Sequence, residues 1–144
     1  GEFSSLVFLT GRDNTWQKGL TRIGHSPFFG WGFHADRLLL DSEHMHNSYL
    51  HAAIQAGIIG ALLFAAAVAV LWAFLWKSGV IRRIRTVEGP DQALLMQSVL
   101  ILGFLTARSL FESTAAFYGV DLLLLVPAVC FIYQWAFENP LPET

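Results

Sequence analysis

From Asn47 onward the chain is almost wholly apolar, and its polar residues gather into short interruptions. One apolar run reaches from Asn47 to about Trp76, a second from Gln92 to Glu112 and a third from Ala116 to Phe137. About 20 apolar residues in a helix cross the hydrocarbon core of a bilayer, so each run predicts a membrane-spanning helix. The first exceeds one span, and its opening turns, through Gln55, are expected to stand outside the hydrocarbon. Asn47 or Ser48 supplies its N-cap. Gly57 and Gly60, then Ala65, Ala66, Ala67 and Ala69, offer a small-residue face for close helix packing.

Residues 10–46 alternate differently. Asp13 or Asn14 caps a short predicted helix that ends near Gly24, with Trp16, Leu20 and Ile23 on one side and Lys18 and Arg22 on the other. Such a helix either lies on the membrane interface with Trp16 as anchor or packs on protein. In Ser26–Phe33, Pro27 and two glycines exclude a regular helix, and four aromatics suit a turn at headgroup level. Asp36–Glu43 predicts one more short helix. The fold class is therefore all-α: a polytopic membrane protein fragment with about three transmembrane helices after a loop with short helices. The division is 1–46 for the loop and 47–144 for the membrane region.

Composition supports that class. The 144 residues are 54% hydrophobic and 14% charged, against about 25% charged in a soluble domain. A net charge of −2 gives no support for a nucleic-acid partner. Cys130, the single cysteine, permits neither an internal disulfide nor a cysteine-based zinc site. Lys77, Arg82, Arg83 and Arg85 sit between the first two spans and mark the cytoplasmic side. Residues 1–46 carry four basic and five acidic residues, with no positive excess. His46, Arg108, Glu112 and Asp121 are thereby carried to the opposite, outer side. With no basic leader ahead of an apolar core, the chain reads as the C-terminal piece of a larger membrane protein.

Charges in a membrane segment are costly and mark a site or a partner. Arg108 and Glu112, at i and i+4, are expected to share a helix face and either pair or serve a ligand. His44, His46 and His51 invite a metal reading, but His46 and His51 do not share a helix face, and no zinc-protease spacing is present. The expectation for metal is none. A neutral His46, acting as base or hydrogen-bond donor, fits better.

Three pieces taken together carry a resemblance. Thr10-Gly11-Arg12-Asp13-Asn14-Thr15-Trp16 is followed by Ser26-Pro27-Phe28-Phe29-Gly30-Trp31-Gly32-Phe33. Then comes His46-Asn47-Ser48-Tyr49-Leu50 with Gly57-Ile58-Ile59-Gly60. This order resembles the O-antigen ligase and O-antigen polymerase superfamily. The resemblance covers about residues 10–65 and lacks the family's N-terminal spans, so a complete active site is not expected within this sequence. It implies a glycosyltransferase of the bacterial inner membrane, with its site on the periplasmic side. The glycan would pass from an undecaprenyl diphosphate carrier to lipid A-core or another glycan or protein acceptor, with no cofactor.

On that resemblance Arg12 is the candidate for the diphosphate, because a guanidinium suits phosphate oxygens, and His46 takes the acceptor's hydroxyl proton or orients the acceptor. Arg108, placed by topology, joins Asn47, Glu112 and Trp31 as substrate-binding candidates. The aromatic turn around Trp31 either stacks on sugar or belongs to an interfacial belt. Siblings sharing the donor are the O-antigen or exopolysaccharide polymerase and the protein O-oligosaccharyltransferase. A transporter, or an assembly subunit without chemistry, is the alternative of another class. A transporter calls for broken helices and polar groups at the bilayer midplane.

Overall fold

The computed structural model describes residues 12–41, 43–113 and 120–141, with the side chains of Arg12 and Asp13 outside the described part. It is all-α, with no strand among the described residues. The helices are α1 (Arg12–His25), α2 (Ala35–Leu39), α3 (Ser48–Lys77), α4 (Val80–Arg83), α5 (Pro90–Arg108) and α6 (Asp121–Glu138). By length and composition α3, α5 and α6 can each cross a membrane, and the chain is a polytopic membrane protein.

The long helix α3 is not continuous. Ala56 (φ −126°, ψ 16°) and Gly57 (φ 67°, ψ −165°) leave helical geometry. A break of this kind orphans backbone groups on both sides, which must find partners when buried. The aromatic turn supplies them. Trp31 N–H donates to Ile54 O at 2.9 Å, Gly32 N–H donates to Gln55 O at 2.9 Å, and Pro27 O accepts from Ile58 N–H at 2.7 Å. The approach requires glycine on both sides. A Cβ on Gly57 would lie 2.2 Å from the Phe28 carbonyl, and one on Gly30 would lie 2.5 Å from the Gln55 carbonyl carbon.

The expected role of Gly57 is corrected at this point: it breaks the helix to receive a turn, and its close neighbours among the described residues are Phe28 and Phe29. Gly60 serves the same break, since a Cβ there would meet Ala56 Cβ at 2.4 Å. Beyond the break, Ile58 to Lys77 measures about 30 Å at 1.5 Å per residue, the thickness of a hydrocarbon core. Before it, His51 to Gln55 are buried under protein.

Two cores follow from this division. Ala35, Leu40, Met45 and Ile54 form the outer one, with Ile23 and Leu50 packed against it. Trp16 settles on protein, its Nε1–H donating to Met45 O at 2.6 Å, while Leu20 stays exposed. The second core, Leu75, Val80, Leu95, Leu102, Ile132 and Trp135, ties α3, α4, α5 and α6 together towards the other end. Large apolar side chains such as Leu62, Leu63, Leu100 and Phe104 point outward, as a lipid-facing surface requires.

α5 returns to the start of α3 and stops earlier than its apolar run suggests, at Arg108 rather than Glu112. At this end it meets a neighbour. Ser48 N–H donates to Ser109 O at 2.9 Å, Asn47 Nδ2–H to Leu110 O at 2.9 Å, and Ser48 Oγ–H to Glu112 O at 2.9 Å. The chain tightens here, with Leu110 N–H donating to Ala107 O and Phe111 N–H to Arg108 O, and the N-terminus of α3 occupies the carbonyls beyond, those of Ser109, Leu110 and Glu112. α6 begins at Asp121. The expected start of this span at Ala116 lies outside the described residues.

Candidate active site

The start of α3 is built by Asn47. Its Oδ1 accepts from Tyr49 N–H at 3.0 Å and Leu50 N–H at 2.9 Å, satisfying two orphan donors of the first turn. Its Nδ2 reaches the end of α5. Both halves of the amide are thus engaged, and the two helix ends are locked together one residue after His46.

His46 itself sits at φ 46°, the left-handed region that histidine visits more than most residues. That turn aims the imidazole at the segment following α5, where Nδ1 lies 3.0 Å from Glu112 Oε2. An ionised carboxylate only accepts, so the proton of this bond belongs to Nδ1. Nε2 is left as the lone-pair nitrogen, with no hydrogen bond to it among the described residues. Both side chains are about two-fifths exposed, 39% each, so the pair is open to a substrate and to water.

The expected i, i+4 pair of Arg108 and Glu112 is replaced by two separate pairs. Arg108 Nη1–H donates to Asp121 Oδ1 at 2.8 Å, linking α5 to the start of α6. Glu112 goes to His46 because the helix has ended and the chain has turned. Arg12 is the first residue of α1, and its side chain lies outside the described residues. Its helix is fixed beside the site all the same, since Thr15 Oγ1–H donates to Glu43 Oε2 at 2.6 Å and Trp16 donates to Met45 O, the residue before His46. Trp31 donates its indole N–H to Arg22 O at 2.8 Å and leaves its ring half exposed.

The three histidines part company. His46 goes to Glu112. His51 Nδ1 lies 3.1 Å from Asp36 Oδ2, and His44 Nδ1 lies 3.8 Å from the same oxygen. Gln55 Nε2–H donates to His51 Nε2 at 2.7 Å, so His51 has no free lone pair for chemistry. Asp36 is fully buried at 0% exposure. Burial raises its carboxyl, but the contact and charge of His51, with help from His44, outweigh that and hold it below its ordinary value. Sequence reading missed this Asp36–His51–Gln55 chain. The i, i+4 spacing of His51 and Gln55 was visible, but Asp36 joins them only through folding of the loop.

Residues 8–65 match the family model described as O-Antigen ligase. The match takes in α1, the aromatic turn, α2, the His46 turn and the broken first part of α3. No curated protein and no solved structure matches the chain. The segment that builds the outer core and presents His46 is thereby identified as O-antigen ligase-like, within a helical membrane protein.

Proposed function

We propose that the chain carries the acceptor-activating part of a membrane glycosyltransferase of the ligase and polymerase superfamily. The observation that carries this reading is His46: Nδ1 is held by Glu112, and the side chain is about two-fifths exposed, with Nε2 unengaged among the described residues. A carboxylate that fixes the tautomer and stabilises the imidazolium is the arrangement by which histidine serves as a general base.

In the proposed reaction an acceptor hydroxyl gives its proton to His46 Nε2. Its oxygen bonds to the anomeric carbon of a glycan carried on undecaprenyl diphosphate. The bond from that carbon to the diphosphate oxygen breaks, and undecaprenyl diphosphate leaves with the electron pair. Arg12 is assigned to the diphosphate, where a permanent, planar charge is wanted. Arg108, held by Asp121, borders the same surface and is assigned a supporting role there. Trp31 offers a half-exposed ring to glycan or lipid. Asn47, with its amide consumed by two helix ends, is assigned to positioning.

The acceptor is lipid A-core, a second glycan or a protein. The site lies at the periplasmic face of the inner membrane, which agrees with the basic residues at the opposite end of α3. The break in α3 does not favour a transporter: it is filled by the aromatic turn and lies about 30 Å from Lys77 along the helix, at one edge of the span.

The test is glycan transfer in membranes from cells lacking the native enzyme, using purified undecaprenyl diphosphate donor. His46→Ala is expected to slow transfer by roughly 10²–10⁴-fold, the usual contribution of a general base, with the variant at normal levels by blot. Full activity in both His46→Ala and Arg12→Ala would overturn the assignment.

A further inference from the structure

A second polar site lies beside His46 on the His44 side. The His44 and His46 rings have centroids 6.0 Å apart. Past His44 a cavity of ≈ 140 Å³ opens between α2 and the first turns of α3. Its walls are Phe33, His34, Arg37 and His44, its floor is His51 and Gln55, and Ser113 closes it next to Glu112.

The character of this lining is one-sided. Among the described residues its ionisable groups are a guanidinium and three imidazoles, with no carboxylate. Asp36, the carboxylate paired with two of these imidazoles, is buried and turned to His51 and His44, and Glu112 is turned to His46. Arg37 is exposed and enters no ion pair among the described residues. Ser113 Oγ is buried and has no hydrogen-bond partner among the described residues, and a buried hydroxyl in that state costs free energy that a ligand acceptor atom would recover. Phe33, 58% exposed, gives the cavity one apolar wall.

We propose that this cavity is a subsite for a sugar that bears an anionic substituent, a carboxylate or a phosphate, on the glycan handled at His46. It rests on the glycosyltransferase reading for the identity of the ligand as a glycan. Arg37 supplies the charge by a bidentate contact, Ser113 Oγ–H donates, and Phe33 covers the ring. The buried Asp36–His51–Gln55 chain holds the floor and takes no part in the contact. The carrier's diphosphate is assigned elsewhere, to Arg12, so the subsite selects among glycans.

The experiment is titration calorimetry on the purified protein in nanodiscs. The probes are a trisaccharide carrying one glucuronate, its neutral glucose counterpart, and inorganic phosphate. The glucuronate trisaccharide is expected to bind at least 10-fold more tightly than the neutral one. Arg37→Ala should weaken it about 10-fold, Arg37→Lys should restore part of the loss, and Ser113→Leu should fill the cavity and abolish binding. Each variant is checked for unchanged helical content and melting temperature. Competition by phosphate that Arg37→Ala weakens equally supports the subsite and assigns phosphate as its substituent. Equal affinity for the acidic and neutral sugars, or binding untouched by Arg37→Ala and Ser113→Leu in folded protein, overturns the proposal. Binding needs no transfer: sugar bound without turnover would sink the transferase reading alone, and turnover without preferential acidic binding would sink the subsite alone.

Discussion

His46 depends on a backbone conformation as much as on its ring. At φ 46° most side chains would be strained, whereas asparagine tolerates the left-handed region well. The N-cap of α3 belongs to Asn47, so His46 is free of that duty. His46→Asn should therefore fold and melt like the wild type while losing the lone-pair nitrogen, and transfer should fall by the same roughly 10²–10⁴-fold as a missing base. Near-normal transfer would show that only the turn is needed. Glu112→Gln keeps an acceptor for Nδ1–H and loses the charge, so its rate should lie between wild type and His46→Asn. Asp36 makes a different kind of prediction. Its folded carboxyl lies below the ordinary 3.8, so the native state is favoured by the ionised form. That stability is complete above the ordinary value and is lost as pH falls through the folded one. Melting temperature should fall on acidification below about pH 4, and Asp36→Asn should flatten that slope. An identical slope in both would place the acid-labile group elsewhere.

At the scale of elements, the working unit is a broken helix with a turn seated in the break. Pattern reading located both parts, since the aromatic turn and the Gly57–Gly60 pair each stand out in the sequence. It did not join them, because a glycine's sequence position does not state its φ and the two parts lie far apart along the chain. The local signal at Gly57 fits a helix-packing face equally well. The end of α5 shows the same limit. Apolar residues continue to Phe111, but the chain tightens into a turn after Arg108, Asn47 and Ser48 of another helix bond the carbonyls of Ser109, Leu110 and Glu112, and the Glu112 side chain goes to His46. The Arg108–Glu112 spacing was legible, while their actual partners depend on where the helix stops. Gly57→Ala and Gly30→Ala should each destabilise the outer core. The left-handed penalty alone is about 1–2 kcal/mol, and the contact of each Cβ with backbone adds to it. Because the two glycines serve one interface, the double variant should cost less than the sum of the singles. Strict additivity in thermal melts would mean that the turn and the break are separate features.

Across the whole molecule, the groups with chemical potential collect at one end of α3 and the basic cluster at the other. The apolar runs and the basic loop showed this separation in advance. What holds the basic end was not visible. Arg83 donates Nη2–H to Ser78 O at 2.9 Å and Nη1–H to Asn139 O at 2.7 Å. Those residues are the C-caps of α3 and α6. Its guanidinium also lies 4.7 Å from the centre of the Trp135 ring. One cation thus meets the negative ends of two helix dipoles and an aromatic face, and it closes the bundle there as Asn47 closes it at the other end. Hydrogen bonds from charged groups contribute about 1.5–3 kcal/mol each, with the Asn139 contact at the low end because it is exposed. Arg83→Ala should lower the melting temperature, and Arg83→Lys should recover only part, since a single ammonium lacks the fork that spans two carbonyls. Asn47→Ala should cost about 1 kcal/mol for the cap and more for the lost contact with Leu110. The two sites stand at opposite ends of a helix about 45 Å long, so their effects on stability should add. Transfer per folded molecule should separate them: unchanged in Arg83→Ala, reduced in Asn47→Ala because the turn bearing His46 loosens. A loss of transfer in Arg83→Ala at normal folded protein levels would show that the basic end reaches the chemistry.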